Sequence, residues 1–247
     1  MTVLEKKYQV NQKIRIRKLI STSLIDWEGL IVSTLYVGGC NFRCPFCYNV
    51  DLITNPQQFS IIPEEDIVTF LKERKDFLDG ICLSGGEPTI YDDLPEFLVK
   101  IRKHNIKIKL DTNGSQPERL AEIIERNLVD FIAMDIKSCL KPEAYKKAIG
   151  INDEQVISKI KKSINLIRCA GIEYEFRTTV IPIFHDEKTI EEIAREIKGS
   201  NQYVLQNFIN NGQLLDKQLV DIVPYPPHKI EEFRSKIEPY VERCKVR

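Results

Sequence analysis

Short apolar runs alternate with amphipathic stretches along most of the chain. From residue 30 onward, runs of strand length recur, and stretches with a helical spacing of apolar positions follow them. The apolar runs predict six strands, at residues 30–37, 80–83, 106–110, 129–134, 173–181 and 203–208. The amphipathic stretches predict seven helices, at residues 63–77, 94–104, 117–127, 142–149, 154–170, 187–197 and 228–243. The pattern therefore predicts a chain built largely of strand–helix units.

The size of these units indicates the fold class. Six units within residues 31–208 average about 30 residues each, which is the size of a right-handed βαβ repeat. Strands such as 131–134 are apolar throughout, as expected of parallel strands buried on both faces. Because six units fall short of the eight that close a complete barrel, we predict an α/β fold, a partial (β/α)6 barrel open on one side. A doubly wound flat sheet is the alternative.

The remaining segments are interpreted as extensions of a single domain. Residues 1–29 form an extended, polar N-terminal extension, in which Trp27 is expected to pack at the start of the first strand. Residues 30–210 form the partial barrel, and residues 211–247 form a C-terminal helical extension. A chain of 247 residues can bury a substantial core.

Charge and cysteine content narrow the class of protein. The 36 basic residues balance the 36 acidic ones, so no global field favours nucleic acid or an anionic membrane. No apolar segment approaches the roughly 20 residues that span a bilayer, and no signal peptide opens the chain. Seven cysteines, an odd number, fit a reducing compartment better than a disulfide framework. We therefore expect a cytoplasmic protein.

Three cysteines lie close together after the first predicted strand. Cys40, Cys44 and Cys47 have the spacing C-x3-C-x2-C, and three soft thiolates on one loop suit an iron–sulfur cluster. Three ligands leave one iron of a [4Fe–4S] cluster free to bind a substrate or cofactor. A zinc knuckle on Cys44 and Cys47 is the alternative, but the chain has no second Cys or His pair to complete it. The other cysteines are expected to be buried as small hydrophobes: Cys82, Cys139, Cys169 and Cys244.

Polar residues follow the end of each predicted strand. Ligands of parallel α/β folds bind at the carboxyl ends of strands, so we predict one shared site rather than six unrelated turns. Gly85 and Gly86 let a ligand approach their backbone, and with Glu87 they suit an ammonium group, although an ordinary βα turn also explains the glycines. Lys137 and Arg177 are cations on apolar strands and need a partner. That partner is a substrate carboxylate, or Asp135 or Glu87 in a structural ion pair.

A further set of oxygens lies at neighbouring strand ends. Asp111, Thr112 and Asp135 supply the ligands that a hard cation prefers. The alternative is that these side chains serve only as hydrogen-bonded structural groups.

From about residue 21 to 210 the chain resembles the glycyl-radical-enzyme activating branch of the radical S-adenosylmethionine (SAM) superfamily. Within that branch it is most like the activating proteins of anaerobic ribonucleoside-triphosphate reductase. The matching segments are residues 22–26, 39–49, 84–89, 110–114, 133–137 and 175–179. The cysteine motif is specific for the superfamily, whereas the other segments are specific for the branch and not for the substrate.

The resemblance implies a role for each matching residue. Cys40, Cys44 and Cys47 would ligate a [4Fe–4S] cluster and act as the catalytic centre. The residues implied to bind SAM are Phe46 (against the adenine), Asn49, Gly85, Gly86, Glu87 (the last three on the methionyl amine), Asp111, Asn113, Asp135, Lys137 and Arg177. Asp111, Thr112 and Asp135 also match the side-chain ligands of a monovalent cation beside SAM.

The resemblance also implies a mechanism and partners. A flavodoxin- or ferredoxin-type donor reduces the cluster, SAM is split into methionine and a 5′-deoxyadenosyl radical, and the radical takes a hydrogen atom from a glycine of a partner enzyme. We expect that glycyl radical enzyme to be anaerobic ribonucleotide reductase, and an open barrel would admit its glycine loop.

The chain departs from related activases in three places. It has Tyr48 where they have a histidine after the third cysteine, and Gln206-Asn207 where they have another histidine, which leaves the role of the latter segment open. Only 37 residues separate Cys47 from Gly85, so the ferredoxin-like insert of many activases is absent.

Two other functions remain open. One is a radical SAM enzyme acting on a small molecule or another peptide, and the other is a non-catalytic zinc or iron–sulfur module.

Overall fold

The structure, a computed structural model, describes residues 13–210 and 212–247. The chain divides into two compact units. The N-terminal unit comprises Met1–Asn41, Asp51–Leu110 and Glu118–Asp130, and the C-terminal unit comprises Phe42–Val50, Asp111–Pro117 and Phe131–Arg247. Of the predicted N-terminal extension, residues 1–12 lie outside the described residues.

Four strands run through the first unit: β1 (Ile16–Ser23), β2 (Val32–Val37), β3 (Gly80–Gly85) and β4 (Lys107–Thr112), whose last two residues are assigned to the second unit. β2, β3 and β4 are parallel, whereas β1 is antiparallel to β2. β1 was not among the predicted strands. Its sequence is largely polar and much of it is solvent-accessible, as is usual for an edge strand.

The helices of this part of the chain are α1 (Val50–Thr54), α2 (Glu64–Glu73), α3 (Leu94–Arg102) and α4 (Pro117–Glu125). Pro63 stands directly before the first turn of α2, and three acidic side chains in that turn interact favourably with the helix dipole. α3 buries Leu94, Leu98 and Ile101 completely, at the three- and four-residue spacing that places them on one face.

Four further strands run through the second unit, all parallel to their neighbours: β5 (Phe131–Asp135), β6 (Glu173–Val180), β7 (Gln202–Asn207) and β8 (Arg243–Val246). Its helices are α5 (Pro142–Ile149), α6 (Val156–Arg168), α7 (Glu187–Glu196) and α8 (Pro227–Ile237). The helix predicted to continue to residue 243 ends at Ile237, because Pro239 has no backbone N–H and cannot continue it. The predicted helical extension therefore also contains a strand, β8.

The six predicted strands correspond to β2–β7, each within two residues at either end. The predicted α/β class is confirmed. Among the described residues, β1 pairs only with β2 and β8 only with β7, so neither edge strand closes a barrel, in agreement with the predicted open sheet.

The burial of side chains tests the predictions made for Trp27 and for the four cysteines outside the motif. Trp27 is buried, and its ring lies 3.2 Å from the position that a Cβ on Gly80 would take, at the start of β3. Cys82 and Cys139 are buried as predicted, but Cys169 is exposed and Cys244 is half-buried. The prediction is wrong for these two because Cys169 follows the last turn of α6 and Cys244 lies in the short edge strand β8. None of the described helices has the length and apolarity needed to cross a bilayer.

Candidate active site

In the N-terminal unit, the loop that leads to Cys40 is packed against the loop that follows β3. The Gly86 N–H donates to the Val37 carbonyl at 3.0 Å, and the Glu87 N–H donates to the Gly39 carbonyl at 3.0 Å. From the other side, the Gly39 N–H donates to the Leu52 carbonyl at 2.7 Å. The backbone before Cys40 is therefore held on two sides.

Tyr91 adds a third restraint that the sequence did not indicate. Its buried hydroxyl donates to the Gly38 carbonyl, and burial raises the pKa of this phenol. A neutral, hydrogen-bonded tyrosine is thus fixed beneath the loop. The only local signal is an aromatic residue directly after the short 3-10 turn Pro88–Ile90.

Gly85 and Gly86 are required by the packing of the chain itself. A Cβ on Gly86 would lie 1.6 Å from the Gly39 carbonyl oxygen. Gly85 has a φ of 112°, and a Cβ there would lie 2.6 Å from both N and O of Val37. The close approach of a ligand was the predicted reason for these glycines, with an ordinary βα turn as the alternative, whereas the contacts within the chain already exclude any side chain.

We expect Gly86→Ala to destabilise the protein by about 3 kcal/mol, because the added methyl group overlaps backbone that cannot move aside. The free energy of unfolding from urea titration measures this. Gly171→Ala is the control: its Cβ meets nothing within 4 Å, but its φ of 69° is unfavourable for alanine, at a cost of about 1 kcal/mol. Equal destabilisation of the two variants would contradict the prediction.

Glu87 turns back onto its own loop. Its Oε1 accepts from the Thr89 N–H at 3.1 Å and from the Thr89 hydroxyl at 2.5 Å, which caps the Pro88–Ile90 turn. The side chain is almost completely buried. These contacts fix the carboxylate, and its predicted role toward an ammonium group stays a prediction.

In the C-terminal unit, Cys44 and Cys47 lie on a tight turn. The Cys47 N–H donates to the Cys44 carbonyl at 3.0 Å. The Arg43 N–H donates to the Ile149 carbonyl at 2.8 Å, and Gly150, with a φ of 66°, packs so closely that a Cβ would lie 2.0 Å from the Arg43 oxygen. The end of α5 therefore anchors this part of the cysteine loop.

The environment of the two thiols indicates what they need in order to ionise. Burial raises the pKa of Cys44 to about 12, and the Lys137 ammonium only partly opposes this. Burial also raises the pKa of Cys47, and a hydrogen bond from the Asn49 backbone partly opposes this by lowering it. A thiolate here requires a strong positive partner, which a metal centre supplies. Within the described residues, no three His, Cys, Asp or Glu side chains form a group able to hold a metal ion, so the cluster assignment rests on thiol spacing and softness.

Phe46, between these cysteines, is buried and packs on Phe184 with a centroid distance of 5.3 Å. Tyr48 stacks on Phe208 at 6.0 Å, and its hydroxyl accepts from the Ile209 N–H at 2.9 Å. The tyrosine that replaces the histidine of related activases thus connects the cysteine loop to the segment after β7. The predicted contacts of Phe46 and Asn49 with SAM stay predictions.

Asp135 is the centre of a buried ion cluster. Its Oδ1 lies 2.8 Å from Arg177 Nε, and its Oδ2 lies 3.0 Å from Lys137 Nζ. Asp135 and Arg177 are direct neighbours on β5 and β6, which brings the two charges together. Burial disfavours the carboxylate, but the guanidinium and the ammonium outweigh it and lower the pKa of Asp135 to about 2. Asp135 and Glu87 were the predicted structural partners of Lys137 and Arg177, and Asp135 contacts both cations.

The predicted cation ligands are engaged within the chain. Arg177 Nη1 lies 3.4 Å from Asp111 Oδ1, so one guanidinium contacts both aspartates. The Thr112 hydroxyl accepts from the Gly114 N–H at 3.1 Å. Asn113 Oδ1 accepts from the Ser115 N–H at 2.9 Å and thereby holds the turn after β4. These contacts agree with the structural alternative, and the monovalent cation stays a prediction.

Glu175 lies two residues before Arg177 and on the same face of β6. It was not predicted as a site residue. Arg247 binds its two oxygens at 2.9 and 3.0 Å, and Gln202 donates to Oε2 at 2.8 Å. Arg177 Nη1 is 4.0 Å away. Because Arg247 and Gln202 satisfy the buried Glu175, Arg177 keeps its close contact with Asp135.

His185 holds the backbone at the end of β5 and was also missed. Its Nδ1 accepts from the Ile181 N–H at 3.1 Å, so Nε2 carries the proton and donates to the Lys137 carbonyl at 3.0 Å. The ring is completely buried. A polar residue shortly after a strand was the only signal in the sequence.

The stability of the protein is expected to fall as the pH drops below about 6.5. Burial lowers the pKa of His185 to about 4 from an ordinary value of 6.5, so between these values the unfolded chain binds a proton that the folded chain excludes. Over this window the free energy of unfolding should decrease by up to about 3 kcal/mol.

Urea titrations between pH 7 and 4 measure this dependence. His185→Gln keeps the donor to Lys137, removes the titrating ring, and should show a flatter profile. His228→Gln, at an exposed histidine, should keep the wild-type slope. An unchanged slope in His185→Gln would contradict the assignment.

The family of the chain follows from comparison with known proteins. Residues 34–197 match the model of the radical SAM superfamily. The chain belongs to the radical SAM superfamily and is an enzyme of that type. Members of this family use a [4Fe–4S] cluster and SAM. The three cysteines at the sequence spacing C-x3-C-x2-C are the soft ligands that such a cluster takes, and the contacts of individual residues with SAM stay predictions.

Relatives at the sequence level support the activating branch. The chain is 28% identical over 239 residues to a Methanocaldococcus jannaschii protein provisionally named a glycyl-radical enzyme activating enzyme, covering 95% of this chain and 96% of that one. It is 27% identical to the pyruvate formate-lyase-activating enzyme of Clostridium pasteurianum, over 90% of this chain and 86% of the other. A protein named a probable GTP 3′,8-cyclase of M. jannaschii is 32% identical, over 80% of this chain and 65% of its own.

A solved structure confirms the fold. Streptococcus suis SuiB bound to SAM superposes with a TM-score of 0.65 at 16% identity, covering 85% of this chain and 48% of SuiB. At this identity the likeness concerns the fold alone. It agrees with the open α/β fold that the strand–helix pattern predicted.

Proposed function

We propose that this enzyme generates a glycyl radical on a partner enzyme, and that the partner is anaerobic ribonucleoside-triphosphate reductase. The observation that carries the proposal is the similarity to a protein named as a glycyl-radical enzyme activating enzyme over 95% of this chain and 96% of the relative. The matching segments at the ends of β2–β6 support the activating branch, and the choice of reductase rests on the sequence resemblance alone.

Each group of site residues has a role in this proposal. Cys40, Cys44 and Cys47 would hold the cluster, which when bound supplies one electron to the SAM sulfonium and so releases a 5′-deoxyadenosyl radical. Gly85, Gly86 and Glu87 would receive the methionyl amine, and Asp111, Asn113, Asp135, Lys137 and Arg177 would line the polar part of the SAM site. Phe46 would cover the adenine, and Asn49 would contact SAM beside the cysteines.

The described contacts explain how the chain would orient SAM. Asp135, Lys137 and Arg177 hold one another at 2.8–3.0 Å, so their charges are in position before a ligand arrives. Arg177 is only 10% exposed, and such preorganised charges act strongly where water is scarce. The packed loops around Cys40 and Cys44 would likewise limit access of water to a reactive radical.

An anaerobic assay tests the proposal. The protein is reconstituted with iron and sulfide and given SAM and dithionite, and 5′-deoxyadenosine is measured by chromatography. The anaerobic reductase encoded in the same genome is then added, and electron paramagnetic resonance should show a glycyl radical. A reductase whose radical glycine is replaced by alanine is the control and should show no signal.

A second candidate is a radical SAM enzyme acting on a small molecule or another peptide, which the 32% identity to a named GTP 3′,8-cyclase favours. Cleavage of SAM without a glycyl signal on any glycyl radical enzyme of the same cell would support it. Absence of cleavage, with zinc retained, would instead indicate a non-catalytic module.

We further propose a cytoplasmic location and a flavodoxin- or ferredoxin-type electron donor. None of the seven cysteines, all of which lie in the described residues, forms a disulfide bond, which suits a reducing compartment. Fractionation of cells of the source organism, with detection by antibody, tests the location.

A further inference from the structure

Glu175 is a buried carboxylate of the C-terminal unit and lies beside the ion cluster of Asp135. Its side chain is 1% exposed, and its Oε1 is 4.0 Å from Arg177 Nη1. Both side chains are on the same face of β6, because they are two residues apart in a strand. A buried charge needs a partner, so Glu175 would compete with Asp135 for the guanidinium unless another cation held it.

Arg247 is the cation that holds Glu175. It follows β8, and its guanidinium donates to both oxygens of Glu175, at 2.9 and 3.0 Å. This two-oxygen contact is the geometry in which an arginine binds a carboxylate most specifically. Gln202, on β7, adds a hydrogen bond to Oε2 at 2.8 Å. The position of Glu175 is therefore set from β7 and from the segment after β8.

The backbone of Arg247 is also fixed. Its N–H donates to the Leu205 carbonyl at 2.9 Å, and its carbonyl accepts from the Asn207 N–H at 2.9 Å. Both partners belong to β7, so the parallel pairing of β7 with β8 continues through this residue. The guanidinium of Arg247 is thus attached to ordered backbone, which lowers the entropy cost of holding it on Glu175.

The charge of Glu175 also acts on Arg177. Arg177 Nε lies 2.8 Å from Asp135 Oδ1, and its Nη1 lies 3.4 Å from Asp111 Oδ1. Burial disfavours the guanidinium cation, but Asp111, Asp135 and Glu175 together raise the pKa of Arg177. A change in the charge that surrounds Glu175 therefore reaches the cation at the predicted SAM site.

The ion pairs around Arg177 combine three acidic with three basic side chains. They are Asp111, Asp135 and Glu175, and Lys137, Arg177 and Arg247. Loss of the Arg247 charge would leave one negative charge in excess, on a carboxylate that water does not reach. Arg177 is close enough to move toward Glu175, and in doing so it would leave Asp135.

We propose that Arg247 is a positioning residue for SAM binding, because by holding Glu175 it leaves Arg177 where its guanidinium can contact SAM. The inference rests on the proposed contact of Arg177 with SAM. Arg247 itself does not touch SAM and takes no part in the chemistry. Its effect on SAM binding is transmitted by Glu175, so it should depend on the charge of that residue.

The test measures SAM affinity by equilibrium dialysis with labelled SAM. Each protein is reconstituted with its cluster and is not reduced, so SAM is bound without being cleaved. Arg247→Gln removes the cation, and Glu175→Gln/Arg247→Gln also removes the carboxylate that it holds. Arg243→Gln is the matched control, because it removes the same charge from an exposed side chain of β8. Circular dichroism establishes that each variant is folded.

We expect Arg247→Gln to bind SAM at least about tenfold more weakly than the wild type, because the unpaired Glu175 draws Arg177 away from Asp135. Glu175→Gln/Arg247→Gln should return to within about threefold of the wild type, since no charge then competes with Asp135. Arg243→Gln should stay within about twofold. If Arg247 only stabilised the fold, the double variant, which lacks the whole ion pair, would bind SAM no better than Arg247→Gln.

Arg247→Lys provides the test if Arg247→Gln does not fold. It keeps the positive charge, but an ammonium group cannot reproduce the planar contact with both oxygens of Glu175, so SAM affinity should fall about threefold. Replacing Glu175 by glutamine in this variant should recover the affinity. Wild-type affinity in Arg247→Lys would overturn the proposal in that case.

Unchanged affinity in folded Arg247→Gln, an equal loss in Arg243→Gln, or a double variant as weak as Arg247→Gln would overturn the proposal. Arg177→Gln tests the contact on which it depends and should lose at least about tenfold in affinity. An unchanged value there would overturn that contact and this inference with it, whereas a loss in Arg177→Gln without one in Arg247→Gln would overturn this inference alone. Failure of the glycyl radical assay leaves these affinities unaffected.

Discussion

Cys44→Ala is expected to lose the iron–sulfur cluster and more than about 100-fold of the rate of SAM cleavage. Cys44 is buried on the turn that also carries Cys47, and nothing else on this loop offers a soft ligand in its place. Iron and sulfide analysis after anaerobic reconstitution, with chromatography of 5′-deoxyadenosine, measures both losses. Retention of four irons with full activity would refute the assigned ligand set.

Cys169→Ala is the matched control for this prediction. The same replacement is made at an exposed thiol that follows the last turn of α6, where it removes no packing. Iron content and cleavage rate should equal those of the wild type. Loss of iron in this variant would mean that the wrong thiols were assigned to the cluster.

Asp135→Asn is expected to reduce the free energy of unfolding by about 3 kcal/mol. The neutral amide leaves Arg177, 10% exposed, and Lys137, 17% exposed, without the carboxylate that contacts both. SAM affinity should fall as well, since the two cations lose their fixed positions. Urea titration and equilibrium dialysis with labelled SAM measure the two effects.

Asp153→Asn provides the comparison at a more exposed ion pair. Asp153 contacts Lys159 at 2.9 Å with both side chains about a third exposed, and the pair is expected to contribute less than about 1 kcal/mol. The amide side chain of this variant keeps an oxygen for the Gln155 N–H, so only the charge is changed. If both variants lose the same stability, the special role given to the buried cluster is incorrect.

The strands that the sequence predicted well are those whose character is local. β3, β5 and β7 contain continuous apolar runs, as expected of parallel strands covered on both faces, and β4 and β6 alternate apolar with polar residues. β1 and β8 are edge strands with polar, partly exposed residues, and their formation depends on pairing with β2 and β7. The local pattern of apolar residues in β1 and β8 does not indicate such a pairing.

The same distinction applies to the candidate site. The rule that ligands bind at strand ends selected Asp135 and Arg177, but not which acid would pair with which cation. His185 and Tyr91 bind backbone carbonyls of Lys137 and Gly38, and such contacts depend on tertiary structure. Their types and spacing in the sequence carry no sign of that role.

The close backbone contact between Gly39 and Gly86 limits how segments of this protein can be exchanged with those of a homologue. Because a methyl group does not fit there, the segment ahead of the first cysteine and the segment after β3 behave as one mechanical part. A graft that replaces either segment from a homologue must bring the other with it. Hinges that admit a bulky substrate have to be sought elsewhere in the chain.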